Sequence, residues 1–265
     1  MKIRLRTIAI VPAAATLLCA CSVKEDRTDC PCWLDIIVSG CAPTGREVTV
    51  GAFGSDGAAM FSERIDIADY PDCYEREVRK GYVTTAVHTT LRRMGARRDS
   101  LLIPRGFDCD SLYIHNNIVD CRWEYARDTA VMHKNFSTVH MRMENPSGGS
   151  YPYTLTVRGD VCGIRSTDCT PLMGAFEHVP EEVTECSYVF RLPRQADDSL
   201  VLELRDGDGT LAGEIPIGEY IALIEDFSWS ALDLKDIWIG VDYARSSLYI
   251  SVNDWEVGQV FDLVI

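Results

Sequence analysis

Residues 139–157 read Val139-His140-Met141-Arg142-Met143-Glu144-Asn145-Pro146-Ser147-Gly148-Gly149-Ser150-Tyr151-Pro152-Tyr153-Thr154-Leu155-Thr156-Val157. At the start, Val139, Met141 and Met143 alternate with His140 and Arg142; at the end, Tyr153, Leu155 and Val157 alternate with Thr154 and Thr156. Successive strand side chains point to opposite faces, so each flank reads as a strand with one face turned to a core. The run between them is polar and rich in Gly, Pro and Ser, with nothing to bury. It serves either as a linker between domains or as a long hairpin loop within one. Taken as a linker, it divides the chain into 21–144 and 151–265, each the size of one β-sandwich.

The same period recurs elsewhere. Leu200, Leu202 and Leu204 alternate with Val201, Glu203 and Arg205, and further strands are expected over 34–39, 47–53, 74–79, 82–87, 188–192, 237–243 and 248–252. Short strands separated by turn residues indicate an all-β chain built of sandwiches. Two hairpins are expected. One joins 112–115 to 118–125 through Asn116-Asn117, since asparagine tolerates the positive φ of a tight turn. The other joins 200–205 to 211–215 through Asp206-Gly207-Asp208-Gly209. A short helix is expected over 218–225.

The chain has 265 residues, 46% hydrophobic and 25% charged, which excludes a disordered or collagen-like polymer. A net charge of −14 repels phosphate backbones and argues against a general nucleic-acid partner. Eleven cysteines without zinc-type spacing point to an oxidising compartment. Cys30-Pro31-Cys32 has one intervening residue, wrong for a zinc knuckle or a thioredoxin-type motif. Disulfides are therefore favoured over metal, with Cys109–Cys121 across the first hairpin and Cys162–Cys169 as candidate pairs. The loop at Asp206 starts like an EF-hand, but Leu211 and Ile217 stand where Gly and Glu are required. His115 and His140 fall on strands and read as polar-face residues. No catalytic residue, metal ligand or cofactor is assigned, and a non-enzymatic protein is expected.

Residues 1–20 read as a secretory signal: Lys2, Arg4 and Arg6 precede an apolar run too short to span a bilayer. The run ends Leu18-Cys19-Ala20-Cys21, which resembles the bacterial lipobox. Cys21 is then the lipidated residue, with diacylglycerol on sulfur and an acyl chain such as palmitate on the freed amine. Two or more chains give stable anchoring where one does not. Loss of the three leader cations takes the charge from −14 to −17. Ser22-Val23-Lys24-Glu25-Asp26 resembles the surface-export signal of Bacteroidota lipoproteins, so the expected location is the outer membrane, with surface exposure if that signal operates.

The far end reads Val260-Phe261-Asp262-Leu263-Val264-Ile265, an apolar strand where chain ends are usually polar and frayed. It either completes its own sheet or pairs with another subunit by β-augmentation through Val260, Phe261, Leu263, Val264 and Ile265.

Several segments in order resemble one family. Cys21-Ser22-Val23-Lys24-Glu25-Asp26-Arg27-Thr28-Asp29-Cys30-Pro31 looks like the start of the Bacteroidales fimbrial anchor (FimB-like) lipoproteins. Further matches are Ser111-Leu112-Tyr113-Ile114-His115, His133-Lys134-Asn135-Phe136, Tyr151-Pro152-Tyr153 leading to Val157-Arg158-Gly159, and Leu192-Pro193-Arg194-Gln195. Ile215-Pro216-Ile217-Gly218-Glu219-Tyr220-Ile221 and Val241-Asp242-Tyr243-Ala244-Arg245 complete the set. The resemblance implies two tandem transthyretin-like β-sandwich domains and a role tethering a fimbrial shaft and limiting its growth. It implies fimbrial shaft or accessory subunits as partners, beside outer-membrane lipid through Cys21. It further implies that an anchor keeps its amino terminus, where shaft subunits lose theirs to an arginine-directed protease; Arg27 lies near the tether. The competing expectation is a surface lipoprotein that binds glycan or another ligand through sandwich loops, with Trp123, Trp229, Trp238 and Trp255 as candidate contacts.

Overall fold

The computed structural model describes residues 30–38, 45–145, 151–242, 245–254 and 258–263. The chain enters at β1 (Cys32–Val38), followed by β2 (Glu47–Gly54), β3 (Ala59–Asp66), β4 (Tyr74–Val78) and β5 (Tyr82–Thr89). A small hairpin of β6 (Gly95–Arg97) and β7 (Ser100–Leu102) precedes β8 (Tyr113–Asp120), β9 (Tyr125–Ala130) and β10 (His133–Lys134). Next come β11 (Phe136–Met143), β12 (Thr154–Arg165), β13 (Pro171–His178), β14 (Glu182–Thr184) and β15 (Ser187–Pro193). β16 (Val201–Arg205), β17 (Leu211–Ile215), helix α1 (Ile217–Ala222), β18 (Ile237–Asp242), β19 (Ser247–Val252) and β20 (Gly258–Asp262) finish the chain.

The all-β, tandem-sandwich expectation is met. The first sandwich pairs the sheet β4-β1-β9 with β10-β8-β5-β2-β3. Cys32, Leu34 and Ile36 from one sheet meet Val48, Val50, Val83 and Val87 from the other in a single core. The second pairs β14-β15-β11-β18-β19-β20 with β17-β16-β12-β7-β6, and β13 runs along the other side of β12. Its core draws Val139, Met141, Phe190, Ile239 and Ile250 from the first of these sheets and Leu155, Val157 and Leu202 from the second. Burying each such aliphatic side chain stabilises by roughly 1.5–3 kcal/mol, an upper figure because unfolded chains already hide some surface.

The division of the chain differs from the expected one. β11 precedes the 144–150 run, yet it lies between β15 and β18 and its Val139, Met141 and Met143 belong to the second core. From β11 onward every described strand belongs to the second pair of sheets, so the run joins two strands of the second sandwich, whose core also takes in Cys109, Leu112 and Ile114 from the start of β8 and the segment before it. The β6–β7 hairpin also crosses to the second sandwich, where Leu101 pairs with Ile164. Gly163 makes that approach possible, since a Cβ there would lie 2.2 Å from the Leu101 carbonyl oxygen. Alternation in a strand shows that one face is buried; it does not show in which sheet.

The first expected hairpin is absent. Asn116 and Asn117 sit mid-strand in β8, opposite Ala86 and Thr85 of β5. Tolerance of positive φ permits a turn without requiring one, and here each amide has a bonding partner. Asn117 Nδ2 donates to Asp128 Oδ1 at 2.9 Å, and Asn116 Nδ2 to Cys169 Sγ at 3.1 Å. The reversal comes after Asp120, whose Oδ1 accepts from the Arg122 N–H at 3.1 Å.

The cysteine pairing built on that hairpin falls with it. Cys109 lies in the second core and Cys121 in the first, at opposite ends of β8. An eight-residue strand spans about 27 Å, several times the Cα separation a disulfide allows. Cys162 donates to the Leu172 carbonyl at 3.6 Å while Cys169 accepts from Asn116, so the second pair is not formed either. The hairpin at Asp206–Gly209 is present, closed by Asp206 N–H to the Thr210 carbonyl at 3.0 Å. The short helix also forms, beginning one residue earlier than expected.

Candidate partner-binding edge and the cleft between the sandwiches

β20 completes its own sheet. It runs antiparallel to β19, with Leu248 opposite Phe261 and Tyr249 opposite Val260. Phe261 and Leu263 turn inward against the second core. The Tyr220 and Phe261 rings lie 5.1 Å apart, and the Tyr220 hydroxyl donates to the Asp262 carbonyl at 3.4 Å. Val260 points the other way and is 70% exposed. Among the described residues β20 is the last strand of its sheet, so its outer edge has no ladder partner there. Val264, Ile265 and Cys21 lie outside the described residues.

Several other edges are guarded in the usual ways. β4 carries Glu75, Arg76 and Glu77, and β3 carries Glu63 and Arg64. β10 and β14 are two and three residues long. β13 is broken by register shifts. β20 has five residues and a single charge, Asp262.

The outer face of this sheet is partly aromatic. His140 stands between Val189 and Trp238 on neighbouring strands, and its ring stacks on Trp238 with centroids 4.7 Å apart and planes 14° from parallel. Beside them, Gly240 opposite Tyr249 leaves a groove of about 570 Å³. A Cβ on Gly258 would fall 2.4 Å from the Tyr249 ring, so glycine lets that ring lie across the start of β20.

A larger cleft, about 1090 Å³, lies between the sandwiches. β8 supplies Ile114 to Asn117, the β12–β13 turn supplies Cys169, and the segment after α1 supplies Phe227 and Trp229. Arg194 is buried at its back. Its Nε donates to Asn135 Oδ1 at 3.1 Å, Nη1 to the Trp229 carbonyl and Nη2 to the Leu232 carbonyl at 3.4 Å. Burial pushes the guanidinium pKa down, opposed by the fields of Cys169 and Asp233. Arg194 thus fastens the 229–232 segment to the start of β11.

Beside the cleft, Asp128 of β9 is a carboxylate buried in the sandwich. Burial alone would raise its pKa, but hydrogen bonds from His115, Thr85 and Asn117 outweigh it and hold the group at about 2. His115 Nε2 lies 3.0 Å from Asp128 Oδ2, and Nδ1 accepts from the Val131 N–H at 3.2 Å. Both ring nitrogens are engaged, which fixes the orientation of the ring. Burial likewise pushes the Cys169 thiol up, against a reactive thiolate. Among the described residues no group of three or more His, Cys, Asp or Glu could hold a metal ion.

Of the candidate tryptophans, Trp123 is exposed at the β8–β9 turn, Trp229 packs against the second core and Trp238 lies on the outer face. Trp255 lies outside the described residues. The sequence reading missed Asp128, which carries no flanking motif, and gave Arg194 no role beyond the resemblance at 192–195.

No protein-family model matches the chain, and none of the curated proteins matches its sequence. Solved structures do match in shape. A candidate polysaccharide-binding protein from Bacteroides thetaiotaomicron superposes with a TM-score of 0.62 at 14% identity, covering 88% of this chain and 98% of that one. The fimbrial anchor protein Mfa2 from Porphyromonas gingivalis superposes with 0.59 at 13% identity, covering 85% and 98%. The chain shares the fold of a Bacteroidales fimbrial anchor. A candidate adhesin from Bacteroides ovatus superposes as well, with a TM-score of 0.58 at 13% identity over 90% of this chain and 97% of that one. At 85–90% of this chain, the three likenesses extend over most of its length.

Proposed function

We propose that the protein is a non-enzymatic fimbrial accessory subunit of the cell envelope. Lipid on Cys21 holds it in the outer membrane, and it anchors a fimbrial shaft and limits the shaft's growth. The observation that carries this is the open edge of β20. Main-chain groups of an edge strand bind an incoming strand, and alternate side chains select it. Val260 stands exposed for such a contact, while Phe261 and Leu263 fasten the strand to the core beneath. The edge therefore stays in place when a partner strand is pulled. Cells lacking the protein are expected to shed fimbriae into the medium, and the shed fimbriae to be longer than wild type. Fimbriae that stay attached at wild-type length would contradict the proposal.

The outer-face groove supports a second reading, glycan binding. The stacked His140–Trp238 pair and Tyr249 offer ring faces beside polar Arg142, Ser187 and Asp242, the mixture that concave ligand sites use. On this reading Trp238→Ala abolishes retention on a glycan column without altering the fimbriae.

A further inference from the structure

Cys32 and Cys121 are both fully buried in the first core. Their thiols lie within hydrogen-bonding reach of each other. Separate contacts hold each one there. Cys32 opens β1 opposite Val78 of β4, and the next N–H, of Trp33, donates to the Glu124 carbonyl at 2.8 Å. Cys121 follows β8, and its own N–H donates to the Gly81 carbonyl at 2.8 Å. Val78 and Gly81 flank one short connection between β4 and β5, so both cysteines are fixed to the same piece of backbone. Burial pushes both thiols up, Cys121 to about 12, which suits neither a metal ligand nor a nucleophile.

We propose that Cys32 and Cys121 are joined as a disulfide in the exported protein, stapling the two sheets of the first sandwich where the tether enters the fold. Export rests on the leader at residues 1–20, and the mechanical role rests on lipid at Cys21. The oxidant is the disulfide form of an exported thiol oxidase. The thiolate of one cysteine attacks that disulfide, and one oxidase sulfur leaves. The second cysteine's sulfur then displaces the oxidase from the mixed disulfide. The two cysteines lose two electrons and two protons, and the oxidase ends as its dithiol. Because both sulfurs are inaccessible in the folded sandwich, the exchange takes place before the core closes.

β1 belongs to a three-stranded sheet, and a load carried through the tether reaches it at Cys32 first. Without a cross-link the ladders to β4 and β9 would open in sequence from that end. With it the load passes directly to the end of β8, in the opposite sheet. The bond closes a loop of about 90 residues, a length at which cross-links stabilise substantially.

The test is to take full-length protein from cell envelopes, denature it in iodoacetamide without reductant, digest it and analyse the peptides by mass spectrometry. A peptide pair joining Cys32 to Cys121, separating on reduction, is expected for most of the protein. Alkylation of both cysteines, or either one joined to a different cysteine, would overturn the proposal. As a second measurement, Cys32→Ala should lower the melting temperature by about 5 °C or more without reductant, with a smaller gap in its presence. An equal gap in both conditions would also overturn it. Fimbrial retention is scored separately on the same envelopes, so a bridged protein that retains no shaft supports the disulfide and fails only the anchoring.

Discussion

Asp128 sets the stability problem at the scale of a residue. A carboxylate 4% exposed inside a sandwich stays ionised only because Thr85, His115 and Asn117 all donate to it. Its folded pKa of about 2 lies below the unfolded value of roughly 3.9, so it contributes stability above about pH 4 that is lost as pH falls toward 2. Asp128→Asn should therefore cost about 2 kcal/mol at pH 7 by denaturant unfolding, with the difference shrinking between pH 4 and pH 2. A difference that stays constant across that range would show that the charge is not what matters. Little of this was legible in the sequence. Alternation identifies which apolar side chains face a core, but Asp128 resembles any solvated carboxylate until β8 is known to run beside it. Asn116 and Asn117 were misread for the same reason, since their partners are remote in the chain.

At the scale of elements, strands with strong alternation lie where the pattern put them. β2, β5, β11, β15, β18 and β19 all overlap their expected ranges. The Asp206–Gly209 hairpin was legible because its turn residues bond one another locally. β6 and β7, three residues each, were not, because short strands carry too little pattern and their pairing with β12 is long-range. Gly163 is the element-scale test. Adding a methyl group there drives it into the Leu101 carbonyl, so Gly163→Ala should cost roughly 2 kcal/mol or more. Hydrogen exchange should accelerate first in 95–102, while amides of β2 and β5 keep their protection. Uniform acceleration would mean that the hairpin is not a separable unit.

For the whole molecule, the sequence indicated two sandwiches but misplaced their division, because the Gly/Pro/Ser-rich run connects two strands of one sandwich and the cores are defined by contacts between distant strands. β1, the first described strand, lies in the first sandwich, and β20 closes a sheet of the second. On the proposed anchoring through Cys21 and β20, load would pass from membrane to shaft through both cores. Cys21→Ser should leave the melting temperature unchanged and move the protein from the membrane to the soluble fraction; continued membrane retention would require another attachment. The most direct test of anchoring through β20 is capture of fimbrial subunits from outer membranes by wild type and by Val260→Lys. Val260 is exposed, so the substitution should change stability by no more than about 0.5 kcal/mol while placing a charge on the edge. The account predicts subunits captured with wild type and at least a tenfold loss with the folded variant. Equal capture by both would contradict it.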